Sequence, residues 1–188
     1  MTAALQPSDV LTFWFENDPS ARRDAWFAKS SEFDASCACF TAAIRDARTG
    51  AFDHWASTPR GALALIILLD QLSRNIFRGT AEAFAADERA RAVARRAIEI
   101  GFDTKLTPVE RMFVYLPFEH SEDLADQDES VRLFELLRAG PDDDSTEYAV
   151  RHRDVIRRFG RFPHRNVALG RTSTAAEQEY LARPGAGY

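Results

Sequence analysis

From Ser31 to Arg48 the apolar positions Phe33, Cys37, Phe40, Ile44 and Ala47 fall three or four residues apart, the spacing that gathers them on one face of a helix. Gly50 then supplies a stop. Such punctuation recurs along the chain, and no stretch alternates well enough to be a strand. Val10 to Phe15 predicts a short apolar helix following Ser8, and a loop through Asn17-Asp18-Pro19 leads to a turn at Trp26-Phe27. Thr58-Pro59 is an N-cap with proline at the first helical position, opening a helix to about Phe77. Gly79-Thr80 separates it from an alanine- and arginine-rich helix ending at Gly101. Thr107-Pro108-Val109-Glu110 is a capping box, and its helix should stop near Pro117. A further helix is expected from about Ser121, as N-cap, to Arg138, ended by Gly140-Pro141. Another follows the caps of Asp142 to Ser145 and runs through Phe159 to a stop at Gly160. Thr174 with Glu177 makes a second capping box for a short terminal helix.

This pattern predicts an all-α chain of about eight helices stacked as antiparallel hairpins, with no sheet. It reads as a single domain over residues 1–188. Helix starts near 58, 80, 107 and 121 give each pair about 40 residues, which suits a helical-repeat stack, although no consensus motif repeats. A chain of 188 residues buries roughly 70% of its unfolded surface and needs no disulfide or metal for a core.

Within the Gly61–Phe77 stretch, Ala62 to Leu69 is apolar on every side and predicts a buried central helix. At Asp70 the character changes. Advancing 100° per residue from Asp70 puts Arg74, Arg78, Gln71 and Asn75 at about 40°, 80°, 100° and 140°, a continuous polar arc. A helix emerging into water would carry lysine and glutamate; aspartate, glutamine, asparagine and arginine suit fixed hydrogen bonding or a ligand wall.

Charge and cysteine usage narrow the functional classes. The net charge of −5 argues against nucleic-acid or anionic-membrane binding. Of 24 basic residues only Lys29 and Lys105 are lysine, so 22 are arginine. Codon bias explains that number on its own, so only the placement of the arginines is informative. Cys37 and Cys39 point to opposite sides of a helix and cannot bridge. With no signal sequence and no apolar run long enough for a bilayer, the expected location is the cytoplasm.

Two further polar clusters stand out. Glu119-His120-Ser121-Glu122 offers His120 as an acid/base with Glu122 or Asp70 as its orienting carboxylate, against a plain N-cap role for Ser121. Between 151 and 171 there are seven arginines and two histidines against one acid, Asp154. The segment lacks a series of aromatics for base stacking, so its simplest partner is the acidic stretch Glu122, Asp123, Asp126, Asp128 and Glu129. Pro163 makes Phe162 to Asn166 a loop, and one carrying His164, Arg165 and Asn166 suits a pocket lid. His54, His120, His152 and His164 never occur at zinc-motif spacing, so no metal or cofactor is implied.

The ordered set Val10-Leu11, Phe13-Trp14-Phe15, Trp26-Phe27, Leu63-Ala64-Leu65-Ile66, Leu69-Asp70-Gln71, Arg74-Asn75-Ile76, Arg78-Gly79-Thr80, Arg111-Met112-Phe113, Tyr115-Leu116-Pro117, His120-Ser121-Glu122 and Gly160 to Asn166 resembles domain-of-unknown-function family 924 across essentially the whole chain. The resemblance implies a tetratricopeptide-like α-α superhelix. It brings no settled activity, so no catalytic residues carry over. Cys37-Ala38-Cys39 and Glu119, where an apolar residue is expected, depart from the pattern.

The expected function is therefore a binder of an anionic small molecule or peptide end, in a groove where the three polar clusters meet. Asp70, Gln71, Arg74, Asn75, Arg78, Arg161, His164, Arg165 and Asn166 would line it. The alternatives are a cofactor-independent hydrolase or lyase using His120 with Glu122, and a protein-interaction scaffold. The aromatics near Trp14 and Trp26 suit either a core or the interface of a homodimer.

Overall fold

Local capping sets where most helices begin. In the computed structural model, which describes residues 4–16, 18–28, 30–138 and 144–186, α1 (Pro7–Phe15) opens three residues earlier than its apolar run suggests. The reason is a box formed by Gln6 and Asp9, whose carboxylate accepts from the Gln6 N–H at 2.8 Å, with Pro7 in the first position. Asn17, Gly140-Pro141 and Asp142 lie outside the described residues. α2 is Ser31–Cys37 continued through a 3-10 turn, Ala38–Phe40, into Thr41–Arg48. Its apolar stripe holds: Cys37, Ile44 and Ala47 are fully buried.

α3 begins at Pro59 with Thr58 Oγ1 accepting from the Gly61 N–H. It runs as α-helix Pro59–Ile66, widens into a π-helical stretch Ile67–Leu72, and closes with Ser73–Ile76. α4 (Asp87–Glu99) starts seven residues later than the Gly79-Thr80 break suggests, because Ala81–Phe84 forms a separate 3-10 turn. α5 (Pro108–Glu119) carries the expected box, Thr107 N–H to Glu110 at 2.9 Å and Glu110 N–H to Thr107 Oγ1 at 3.2 Å. It continues through Pro117 for two residues rather than ending there; in the last turn, a proline forfeits only one backbone bond. α6 (Leu124–Leu137) is capped by Asp123, not Ser121. α7 (Ser145–Phe159) ends at Gly160, whose positive φ of 67° accommodates the left-handed cap. α8 (Ala175–Leu181) has the Thr174/Glu177 box. Among the described residues the chain is thus eight helices and no strand.

The helices divide into two compact units, residues 1–78 with 82–117 and residues 79–81 with 118–188. In the first, α1, α2 and α4 pack on α3, and every residue from Gly61 to Ser73 is buried. That makes α3 the buried central helix its composition demands. Trp14 and Trp26 stack at 6.0 Å, and Phe113 stands edge-on to Trp26 at 4.8 Å, so both tryptophans belong to the core. In the second, α6 and α7 form a hairpin, and Val155, Ile156 and Phe162 share a cluster with Phe159 and Tyr180 packed on it. No described helix is long and apolar enough to cross a membrane.

Candidate functional site

The polar end of α3 does not emerge into water. Asp70 is fully buried, Gln71 and Asn75 are 6% exposed, and the π-helical stretch divides their partners between two neighbours. Arg74 reaches Asp70 at 2.8 Å and takes both carboxylate oxygens of Asp87, on α4, at 2.9 Å. Burial opposes the Arg74 charge, but the two carboxylates outweigh it and raise the guanidinium's pKa. Gln71 donates to Asp70 at 2.6 Å. Asn75 and Arg78 turn instead to Asp34 on α2, at 2.7 to 2.9 Å. The Arg78 bonds hold the Asp34 carboxyl below its ordinary pKa. Two side chains also meet backbone carbonyls of the wider turn. Ser73 donates to Leu68 O at 3.2 Å and Arg74 to Asp70 O at 3.0 Å. The predicted arc is thus a pair of internal ties whose donors face this chain's own carboxylates.

Both remaining clusters fall in the second unit and come together there. Glu122 accepts from the Phe162 N–H at 2.8 Å and from both terminal nitrogens of Arg171 at 2.7 and 3.0 Å. Burial alone would raise its pKa, but Arg171 and that N–H outweigh it and lower it. Arg161 forks onto Glu177 at 2.6 and 2.8 Å, which with the Thr174 N–H brings the Glu177 carboxyl down to about 2. Asn166, fully buried, donates to Ser173 and accepts from Arg171. Ser121 accepts from the Asp123 N–H and donates to Asp126. Gln127, fully buried, donates to the carbonyls of Glu119 and Ser121 at 2.6 Å and so closes the end of α5. Of the acidic stretch, Asp128 pairs with Arg153 and Arg157. The basic segment therefore meets the acidic one, as expected. Glu122 holds the loop in place.

What this scaffolding presents is a histidine cluster. His120 follows α5, His152 lies mid-α7, and His164 sits in the 3-10 turn Pro163–Arg165. His152 is 5.7 Å from the Phe162 ring and 6.5 Å from His120, and His164 packs on Phe162 at 5.5 Å. Arg165 lies over the same ring, its guanidinium 4.4 Å from the Phe162 centroid and donating to His120 O at 2.9 Å. His152 Nδ1 is 2.8 Å from the Tyr148 carbonyl and 3.2 Å from Glu119. A carbonyl only accepts, so Nδ1 carries the proton and Nε2 keeps its lone pair. Burial, reinforced by the positive charge of His120, His164 and Arg165, lowers the His152 pKa to about 3. His120 and His164 are half-buried, whereas His152, Phe162 and Arg165 are buried. Among the described residues no group of three His, Cys, Asp or Glu is placed to hold a metal.

Residues 10–185 match the family described as "Bacterial protein of unknown function (DUF924)". The chain belongs to the DUF924 family. A solved structure, "Structure of Protein of Unknown Function ATU0120 from Agrobacterium tumefaciens", is similar at 40% identity with a TM-score of 0.85, covering 94% of this chain and 96% of that one. No curated protein matches the chain. The DUF924 match leaves function to be argued from the site itself.

Sequence reasoning placed His120, Glu122, Arg161, His164, Arg165 and Asn166 in two clusters that the fold joins. Glu119, His152 and Arg171 lie within those clusters but were not chosen as site residues, and Glu177 was read only as part of a capping box. His152 was detectable: it shares a helical face with Ala149, Val155 and Ile156, so it sits where a core residue belongs. Arg171 gives no local signal, since its carboxylate partner, Glu122, is 49 residues away.

Proposed function

We propose that this protein binds a small anionic ligand, or the carboxylate end of a peptide, at His120 and His164 with Arg165 behind them. The observation that carries this reading is the convergence of three of the four histidines with an arginine: His152, His164 and Arg165 surround the Phe162 ring, and His120 stands beside His152. Gathering cationic or proton-accepting groups disfavours folding by itself, and a bound carboxylate or phosphate offsets that through charge-assisted hydrogen bonds. Arg74, Arg78 and Arg161 have no share in this role, because carboxylates of the same chain already occupy their forks. The free thiols Cys37 and Cys39 favour a cytoplasmic setting, and stacked helical hairpins of tetratricopeptide-like type would serve as its scaffold.

Thermal unfolding with inorganic phosphate, citrate and short peptides bearing a free C-terminus tests the reading. A saturable rise in Tm is expected for the unmodified protein, and a much weaker one for His120→Ala and His164→Ala, whose unliganded Tm should be nearly unchanged. Equal stabilisation of the unmodified protein and the double variant would sink it. The second reading, acid/base chemistry at His120, is favoured by one observation: a carboxylate, Glu119 rather than Glu122, stands beside the neighbouring imidazole of His152. Turnover of simple ester substrates that disappears in both His120→Ala and Glu119→Gln would support it.

A further inference from the structure

A groove of about 570 Å³ opens between the end of α7 and the start of α8, lined by Arg158, Phe159, Arg161, Thr174, Ala176 and Glu177. That volume lies in the range of small-molecule pockets. Its two guanidinium groups differ in a way that defines what fits. Arg161 is fixed by Nε and Nη2 bonds to Glu177 and a further bond to Thr172 O, which matches its charge and locks its plane. Its Nη1 meets no acceptor among the described residues. Arg158 is exposed, its guanidinium carbon over the Phe159 ring at 4.7 Å, with no carboxylate partner among the described residues. Its N–H groups meet no carboxylate among the described residues and can donate two bonds to a planar oxyanion. Glu177 does not repel such an anion as a bare carboxylate would, because Arg161 and the Thr174 N–H already fill it.

We propose that this groove is a second ligand site, separate from the histidine cluster, for a monocarboxylate that carries an aromatic or branched apolar group. The single unmatched positive charge, on Arg158, suits one negative charge better than two, which separates a carboxylate from a phosphate dianion. Phe159, half-buried and backed by Tyr180 at 5.2 Å, with the Ala176 methyl, supplies the apolar wall. Arg161 Nη1 supplies a pre-positioned donor that loses little freedom on binding.

Titration of the full chain with benzoate, benzamide and inorganic phosphate, followed by NMR of backbone amides and arginine Nε–Hε groups, tests this. Benzoate should shift the Arg158 and Arg161 Nε–Hε signals and the Ala176 amide saturably. Benzamide, of the same shape without the charge, and phosphate should each bind about tenfold more weakly or less, the loss of one charge-assisted interaction. Arg158→Gln should weaken benzoate by about tenfold while leaving the spectrum otherwise native, since its exposed side chain makes no ion pair among the described residues. His164→Ala should leave the benzoate titration as it is, so that failure here is distinct from failure of the histidine site. Shifts that do not saturate, that persist unchanged in Arg158→Gln, or that map to His120 and His164 instead would overturn the proposal.

Discussion

At His152, a backbone carbonyl and a carboxylate both face one ring nitrogen, and burial holds the pKa at about 3 against an ordinary 6.5. Between those values the unfolded chain binds a proton that the folded chain refuses. The stabilising contribution of the neutral ring is therefore full above pH 6.5 and is lost as pH falls toward 3. His152→Gln, which keeps a donor but does not titrate, should flatten the fall of unfolding free energy between pH 6 and 4 by up to about 1.4 kcal/mol per pH unit. Identical slopes in urea titrations of the two proteins would refute the assignment. Arg74 makes the second residue-scale prediction. Arg74→Ala removes the guanidinium that matches the charge of the buried Asp70 and Asp87, and should destabilise by about 3–5 kcal/mol, measured by chemical denaturation. Loss of less than about 1 kcal/mol would mean that the carboxylates find other partners. The residue types at Asp70 and Arg74 were legible as a fixed polar network; the identity of Asp87 as the third member was not, because it lies across a turn on another helix.

At the scale of the element, α3 combines a start written in its sequence with an interior that is not. Thr58, Pro59 and the Gly61 N–H act within four residues, so the cap could be read directly. Gly61 itself has a tertiary reason. A Cβ there would stand 2.1 Å from the Trp55 carbonyl oxygen, a backbone atom with no freedom to retreat. Gly61→Ala should therefore destabilise by about 1–3 kcal/mol, despite alanine's better helix propensity, and lower Tm. An unchanged or higher Tm would show that the turn before α3 shifts freely. The π-helical stretch escaped a reading at 100° per residue, since Ser73 and Arg74 side chains supply partners to carbonyls that a regular helix pairs by itself. The same holds for α6, where Asp123 took the cap expected of Ser121 because Ser121 is drawn into a bond with Asp126.

Across the whole molecule, acid stability should follow from carboxyls with lowered pKa values and one imidazole. Asp34, Glu122 and Glu177 all have lowered pKa values, so each contributes stability that is complete above the ordinary carboxyl range and lost as pH falls through its folded value. For Glu177 the loss extends from about 4.5 down to about 2. Unfolding free energy should accordingly be flat from pH 6.5 to about 8, below the ordinary range of the Cys37 thiol, decline on the acid side as the folded state resists protonation of His152, and steepen below 4.5. Glu177→Gln should remove part of the steep acidic portion while leaving the His152 portion in place, as read by circular dichroism across pH. A single transition unaffected by either substitution would contradict this division. Exposed pairs such as Arg153 and Arg157 with Asp128 should add little, being screened by water and salt.

The sequence by itself determined the helical class, most helix starts and stops, the central position of α3 and where along the chain the polar clusters lie. These depend on caps, breakers and periodicity that act within a turn or two of chain. Only the tertiary structure decided which arginine faces which carboxylate. Arg74 spends its fork on Asp87, Arg161 on Glu177 and Arg171 on Glu122, whereas Arg158 is left to Phe159 and the groove beside it. The physical reason is range: a cap is satisfied by its neighbours, but a guanidinium's partner is whatever the packing of another element brings within 3 Å.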